Sequence, residues 1–365
     1  MPPESITLIR EAIDRDGPIG FDRFMDLALY SPGGYYASRV PGEGSDYRTS
    51  PSLSPWFGRL VARQLESSWN AMQRPEFTVI EAGGGSADLA HSVAAEILGR
   101  PQSGFANRLR WIFVERQPAV RCLQEDKMSG LPLKVDWVTD LVEVPPTEGV
   151  LLANEVLDNF PVRIYEVASG RIDEIQVGWD DGRFVEIRAE SDLLETDFGR
   201  EAASRLEVGD RFEVCPGLEP WIRKAAAAIR HGRVFLIDYG DPEPGIWLRN
   251  PAGSVVTYRQ EQLGTDPFLR VGESDITHRV NFSAVQRAAA KSGFESEELV
   301  TQKQWLISLG LEGVLTSLRS GQQDAEAAGH PSDALAFIGE RSRAAALGAD
   351  GGLGSLLVFT ASKPG

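Results

Sequence analysis

The sequence predicts an α/β fold, a doubly wound parallel sheet with a closing antiparallel strand, and three observations point to it. Phe77-Thr-Val-Ile-Glu-Ala-Gly-Gly-Gly-Ser-Ala-Asp-Leu-Ala90 reads as a buried strand, a glycine turn and the start of a helix. From 77 to 165, short apolar runs alternate with helical ones, the pattern of parallel strands joined by crossover helices. The chain closes on Leu353 to Ser362, an apolar stretch of strand type that is read as a closing edge strand.

Taken in order, residues 4 to 30 carry apolar side chains at helical spacing, interrupted by Gly17-Pro18. Ser31-Pro-Gly-Gly34 is a turn, and the polar loop Pro41 to Pro55 is long enough to suggest binding rather than mere connection. Trp56 to Met72 resumes helical periodicity. Arg110 to Val114, Lys134 to Val138 and Gly149 to Ala153 follow as strands, and Val234 to Asp238 returns to the sheet after the alanine-rich helix Trp221 to Arg230. Ile164-Tyr-Glu-Val, Glu174-Ile-Gln-Val and Arg183-Phe-Val-Glu-Ile alternate as antiparallel strands do. The expected organisation is therefore a helical cap and substrate loop over 1–76, a core from 77–162, 221–244 and 332–365, a β insertion over 163–220, and a second insertion over 245–331.

Composition narrows the function. The 365 residues are 42% hydrophobic and 25% charged, as in ordinary globular proteins, with a formal net charge of −16. That charge argues against nucleic acid or an anionic membrane surface as partner. The two cysteines, Cys122 and Cys215, are far apart and read as core residues of a reduced cytoplasmic protein. The four histidines show no metal-ligand spacing, so no metal is expected. No secretory h-region or bilayer-length apolar run is present.

The cofactor is read from the turn. A dinucleotide fingerprint wants a third small residue for close helix packing, whereas Gly83, Gly84 and Gly85 lead into Ser86, Ala87 and Asp88. Glu81 at the strand end would repel a pyrophosphate and suits a cationic ligand, the amino group and sulfonium of S-adenosylmethionine. NAD binding is the disfavoured alternative. Glu115 ends the next strand, where a carboxylate can accept from both ribose hydroxyls. Asp140 and Leu141 lie one strand further, in reach of an adenine edge. Asn154, Glu155 and Asp158 follow the buried strand Val150 to Ala153, and Glu155 and Asp158 would share a face if helical. Like charges so close are poorly explained by stability and well explained by a nitrogen to be held. Asp46 and Tyr47 in the long loop, Tyr239 after Asp238, and Asp275 in the second insertion complete the candidates, although turns and helix caps use the same residue types.

These pieces, in this order, resemble the MidA-like family of S-adenosylmethionine-dependent methyltransferases, relatives of the mitochondrial arginine methyltransferase of complex I assembly. The resemblance runs through Gly17-Pro-Ile-Gly-Phe21, Gly34-Tyr-Tyr36, Thr49-Ser-Pro51, Glu81-Ala-Gly-Gly-Gly85, Asn154-Glu155, Ile237-Asp-Tyr-Gly240, Asp275-Ile-Thr277 and Thr301-Gln302. It implies a Rossmann-like class I methyltransferase sheet with an N-terminal helical cap and two insertions. It also implies that Glu81, Gly83 and Gly85 hold the methionine end of the cofactor, Glu115 with Arg116 the ribose, and Asp140 with Leu141 the adenine. Thr49, Ser50 and Pro51 would close over the site, and Asn154, Glu155 and Asp158 would face the acceptor, with Tyr258 nearby. The chain departs from the family at Ser52, where Glu is usual, at Gln260, where a His is usual, and at Arg279-Val-Asn281-Phe, where the family commonly has His-Val-Asp-Phe. Those changes favour an amine-bearing small molecule ahead of a protein arginine as the acceptor of N-methylation, with Glu155 and Asp158 as the catalytic pair. A non-catalytic scaffold on the same fold is the alternative from another class. Trp179, Phe184 and Trp247 in the insertions suggest apolar surface for a homodimer.

Overall fold

The computed structural model describes residues 3–39, 49–73, 75–260 and 262–365. The chain divides into two compact units, one of Met1–Tyr47, Leu157–Ile222 and Gly240–Ala288, the other of Arg48–Val156, Arg223–Tyr239 and Ala289–Gly365.

The second unit carries a seven-stranded sheet. Its strands are β1 (Phe77–Ala82), β2 (Leu109–Val114), β3 (Lys134–Val138), β4 (Thr147–Asn154), β5 (Ile229–Asp238), β6 (Glu295–Thr301) and β7 (Leu357–Lys363), in the spatial order β6-β7-β5-β4-β1-β2-β3. β1 to β5 pair in parallel, and β7 is antiparallel to both of its neighbours. The central strands are apolar because helices cover both faces: all six residues of β1 are buried. Strand order reverses between β1 and β4, which makes the carboxyl ends of these two strands the place where an open α/β sheet binds ligands.

The closing strand is thus not at the edge. β7 lies between β5 and the edge strand β6, a segment that the sequence reading assigned to an insertion over 245–331. β6 reads Glu-Ser-Glu-Glu-Leu-Val-Thr, is exposed over its first four residues and bulges between Ser296 and Glu298. Charge and a bulge are how edges avoid pairing with other chains, and they erase the apolar signature of a strand. The helices Gln302–Ser308, Leu311–Ala327 and Pro331–Ala346 follow it in the same unit. The helix Pro55–Met72 also belongs here rather than to a cap, packed on the helix Asp88–Leu98. The core joins Phe57, Leu60, Val61, Val79, Trp111, Phe113, Phe235 and Trp305.

The first unit combines the N-terminal helices Glu4–Asp16 and Phe21–Tyr30 with an antiparallel sheet built on Arg163–Ala168, Arg171–Asp180, Arg183–Glu190 and Arg211–Val214. The short strand Ile19–Gly20 pairs with Arg171–Asp180, so cap and β insertion form one body. Val256–Arg259, Gln262–Gly264 and Asp275–Thr277 make a further small sheet. Phe184 and Trp247 are buried, and half-buried Trp179 packs edge-on to Phe184 at 4.8 Å with the Arg10 guanidinium 4.7 Å above its ring. These three side chains, from which a homodimer was expected, pack within this unit, with Trp179 still half-buried. Cys122, expected in the core, is exposed, and Cys215 is half-buried. Among the described residues no helix is long and apolar enough to cross a membrane.

Close packing sets one testable limit. A Cβ added at Gly58 would lie 2.5 Å from the Cβ of Ser92 and 3.1 Å from the carbonyl oxygen of Leu89. Leucine there gains helix propensity of about 1 kcal/mol, but forced overpacking costs about 1–3 kcal/mol. Gly58→Leu should therefore lower the urea midpoint, whereas Gly99→Ala, whose Cβ meets its nearest neighbour at 3.3 Å, should change it little.

Candidate active site

The carboxyl ends of β1, β2 and β4 each carry an acidic residue or a glycine turn whose main chain is tied to a neighbouring strand. Gly83 N donates to Val114 O at 3.3 Å, Glu115 N to Val138 O at 2.9 Å, and Glu155 N to Ile237 O at 2.8 Å. These bonds extend the ladder past the ends of the strands, so the loops leave the sheet in defined directions.

Glu81 is the fifth residue of β1 and is only 4% exposed. Its Oε2 accepts from the indole Nε1 of Trp111, 3.0 Å away, and among the described residues no cationic side chain pairs with it. Burial pushes its carboxyl up to about 8, with a smaller push in the same direction from Asp88, while the indole bond opposes both. The glycine turn passes over this carboxyl group. Gly83 sits at φ 64° with a Cβ position 2.8 Å from Val156, and a Cβ on Gly84 would meet the Phe113 ring at 2.8 Å and the Glu81 carboxyl carbon at 3.1 Å. Phe113 and Glu81 leave no room for a side chain there, so only glycine lets the turn pass this closely. Gln124, a buried side chain that sequence reasoning missed, donates from Nε2 to Gly85 O at 2.9 Å and is itself held by Trp137. It lies on the inner face of an amphipathic helix, where nothing in the sequence separates it from an ordinary polar residue.

Glu115 is half-buried, accepts from Gln117 N at 2.8 Å, and is raised above the usual carboxylate range by burial. Arg116 beside it is exposed. Asp140 caps the short turn Leu141–Glu143 through Val142 N at 2.9 Å and pairs with Lys224 at 2.7 Å, which holds its carboxyl low. Leu141 is buried.

Asn154 ends β4, and its Nδ2 donates to Glu155 Oε1 at 2.9 Å while its buried Oδ1 has no partner among the described residues. Glu155 stands at φ 53°, a left-handed conformation costly for a side chain with a Cβ, so the helical spacing expected for Glu155 and Asp158 is absent. Its Oε1 also accepts from Ser50 N at 3.4 Å. Burial, followed by the nearby charge of Asp238, pushes the Glu155 carboxyl up to about 8. Thr49 and Ser52 cap the helix Ser50–Leu53 reciprocally, and Ser50 Oγ donates to buried Gln302 at 3.0 Å. Tyr239 is half-buried, with its N–H on Asp238 Oδ1 at 2.8 Å.

The remaining candidates lie in the other unit, apart from Asp46 and Tyr47, which fall outside the described residues. Asp275 was expected to meet substrate, but it is fully buried, accepting from Tyr36 Oη at 2.9 Å and Asn159 Nδ2 at 3.2 Å. It is a strut of this unit. Tyr258 faces Asp275 across the strand pair, its hydroxyl pKa raised by burial and then by Asp158. Asp158 is buried in the turn Leu157–Asn159, and its carbonyl accepts from His278 N at 3.0 Å. His278 was passed over in the sequence; burial lowers its ring to about 4, and Nδ1 lies 3.0 Å from Arg279 O.

Residues 60–300 match the family model described as "Putative S-adenosyl-L-methionine-dependent methyltransferase". The chain belongs to this family. It is 29% identical over 316 residues to the Drosophila melanogaster protein named protein arginine methyltransferase NDUFAF7 homolog, mitochondrial, covering 78% of this chain and 70% of that one. The Mus musculus protein arginine methyltransferase NDUFAF7, mitochondrial, is 27% identical over 328 residues, covering 82% and 72%. A COG1565 superfamily member from Burkholderia thailandensis, crystallised with S-adenosyl-homocysteine, superposes with a TM-score of 0.86 at 27% identity, covering 99% of this chain and 92% of that one. This methyltransferase therefore uses S-adenosylmethionine, and its residues fit that cofactor. A buried carboxyl without a cation and the buried Asn154 Oδ1 without a donor, in each case among the described residues, suit a ligand with an ammonium and a sulfonium.

The raised carboxyls set a pH dependence. A carboxyl whose folded pKa lies near 8 favours the fold below the usual range of about 4.5, and that contribution is lost as pH rises through about 8. The ligand-free Tm should fall between pH 6 and pH 9, and Glu81→Gln should flatten the fall, as differential scanning calorimetry would read.

Proposed function

We propose that this methyltransferase transfers the methyl group to a nitrogen, with Glu155 taking the proton that the nitrogen gives up. The observation that carries the reading is the Glu155 carboxyl itself: only partly exposed, hydrogen-bonded to Asn154 and Ser50, and pushed up to about 8. A base acts best when its pKa lies near the working pH, and a cationic nitrogen favours its charged form.

S-adenosylmethionine supplies an electrophilic methyl group on a sulfonium. Within the chain, Glu81, the main chain of Gly83, Gly84 and Gly85, and Asn154 would hold the methionine end. Glu115, with Arg116 beside it, would take the ribose, while Asp140 and Leu141 would border the adenine. Ser50, between Thr49 and Pro51 at the start of its short helix, donates its N–H to Glu155. What the residues supply is chiefly alignment, since displacement at a methyl carbon is in-line.

For the acceptor, the relatives named protein arginine methyltransferases support an arginine side chain. The expectation of a small-molecule amine was drawn from Ser52, Gln260, Arg279 and Asn281. Ser52 completes a helix cap, Gln260 turns the chain at φ 51°, Arg279 N donates to Ser254 Oγ at 3.1 Å, and Asn281 caps the helix Phe282–Lys291 through Ala284 N while holding Glu243. Each has a framework role of its own, so the ground for preferring a small molecule is weak.

The test incubates the protein and tritiated-methyl S-adenosylmethionine with an extract of its host, then separates protein from small molecules and identifies the labelled atom by mass spectrometry. Methylarginine in the protein fraction is the expected result, and an N-methylated small molecule would move the substrate class. A label on oxygen or carbon, or no transfer at all, would overturn the reading. With the acceptor in hand, Glu155→Gln should lower kcat by about 10²–10⁴.

A further inference from the structure

We infer that Asp238 is a positioning residue for Glu155, its carboxylate clamping the turn that presents Glu155 and acting on that side chain as a neighbouring charge. This rests on Glu155 as the proton acceptor. Asp238 ends β5 and is completely buried. Its Oδ2 accepts from Val156 N at 3.1 Å and its Oδ1 from Tyr239 N at 2.8 Å. One carboxylate therefore pins the first amide beyond Glu155 and the first amide beyond its own strand.

The amide of Glu155 is bound to Ile237 O at 2.8 Å, so the residue is fixed on both sides by the end of β5. That double hold is what a left-handed glutamate needs. An unsupported backbone would relax to the ordinary helical or extended region, which L-residues favour. Two amides could equally be satisfied by neutral acceptors, and a buried carboxylate carries a desolvation cost that those would avoid. The charge thus has an effect beyond capping. It disfavours ionisation of Glu155 and helps to lift that carboxyl to about 8, second only to burial itself. Among the described residues the other groups bonded to Glu155 are the Asn154 amide from β4 and the Ser50 N–H from the short helix Ser50–Leu53, neither of which titrates.

The test uses the full chain carrying ¹³C-carboxyl glutamate and follows the Glu155 resonance by NMR from pH 4 to 10, with Glu155→Gln to assign it. Asp238→Asn should move the midpoint down by on the order of one pH unit, the size of shift that a neighbouring like charge produces. A midpoint that stays or rises overturns the proposal, because a purely structural clip would not act through charge. Asp238→Ser serves if the asparagine variant does not fold and should shift the midpoint the same way. Loss of folding in both variants also overturns the proposal, since Asp238 would then serve the fold alone. Methyl transfer by Glu155→Gln separates the two claims. Full activity in that variant sinks the function assigned to Glu155, whereas lost activity with an unmoved midpoint in Asp238→Asn sinks only the role of Asp238.

Discussion

Everything at the carboxyl edge of the sheet depends on one unfavourable arrangement: carboxyl groups placed inside the protein with no cation among the described residues to neutralise them. Glu81 has an indole for company and Glu155 an amide and a backbone N–H. Burying a charge without a partner is costly, so in the absence of ligand these groups keep their protons well above the usual range. A cationic ligand reverses the balance. The same desolvation that penalises the empty site strengthens attraction once a positive charge arrives, because the local dielectric is low.

The rest of the unit holds those groups where they are. Gly83 and Gly84 leave no side chain between the turn and Glu81, and Gln124 holds the Gly85 carbonyl from below. The ladder bonds at Gly83, Glu115 and Glu155 join each loop to a neighbouring strand. Rigid placement matters more here than reactivity, since a 1 Å error at a reacting centre can cost about a hundredfold in rate.

The central sheet was legible in the sequence because parallel strands covered on both faces must be apolar, and β1, β4 and β5 are. The glycine turn with its preceding Glu81 was legible because few structures need that combination. The edge strand β6 was missed because a charged, bulged edge erases the pattern by which strands are recognised. The left-handed turn at Glu155 was also invisible: no local preference places a glutamate there, and the hold comes from β5, some 80 residues later. Asp275 misled in the opposite direction. Its Asp-Ile-Thr segment stood out, yet the carboxylate is spent on Tyr36 and Asn159 within its own unit. Sequence shows which side chains are unusual, whereas only packing shows which of them remain open to a ligand.

The most direct measurement is the proton balance of cofactor binding, read by calorimetric titration of S-adenosylmethionine at pH 6.5 in buffers of differing ionisation heat. At that pH a carboxyl raised to about 8 carries its proton before binding, and the cofactor's own α-amino group, with an ordinary pKa near 7.7–8.0, is charged already. The account predicts release of about one proton per cofactor bound, and its loss in Glu81→Gln. Binding with no proton released, or release unchanged in that variant, would contradict it.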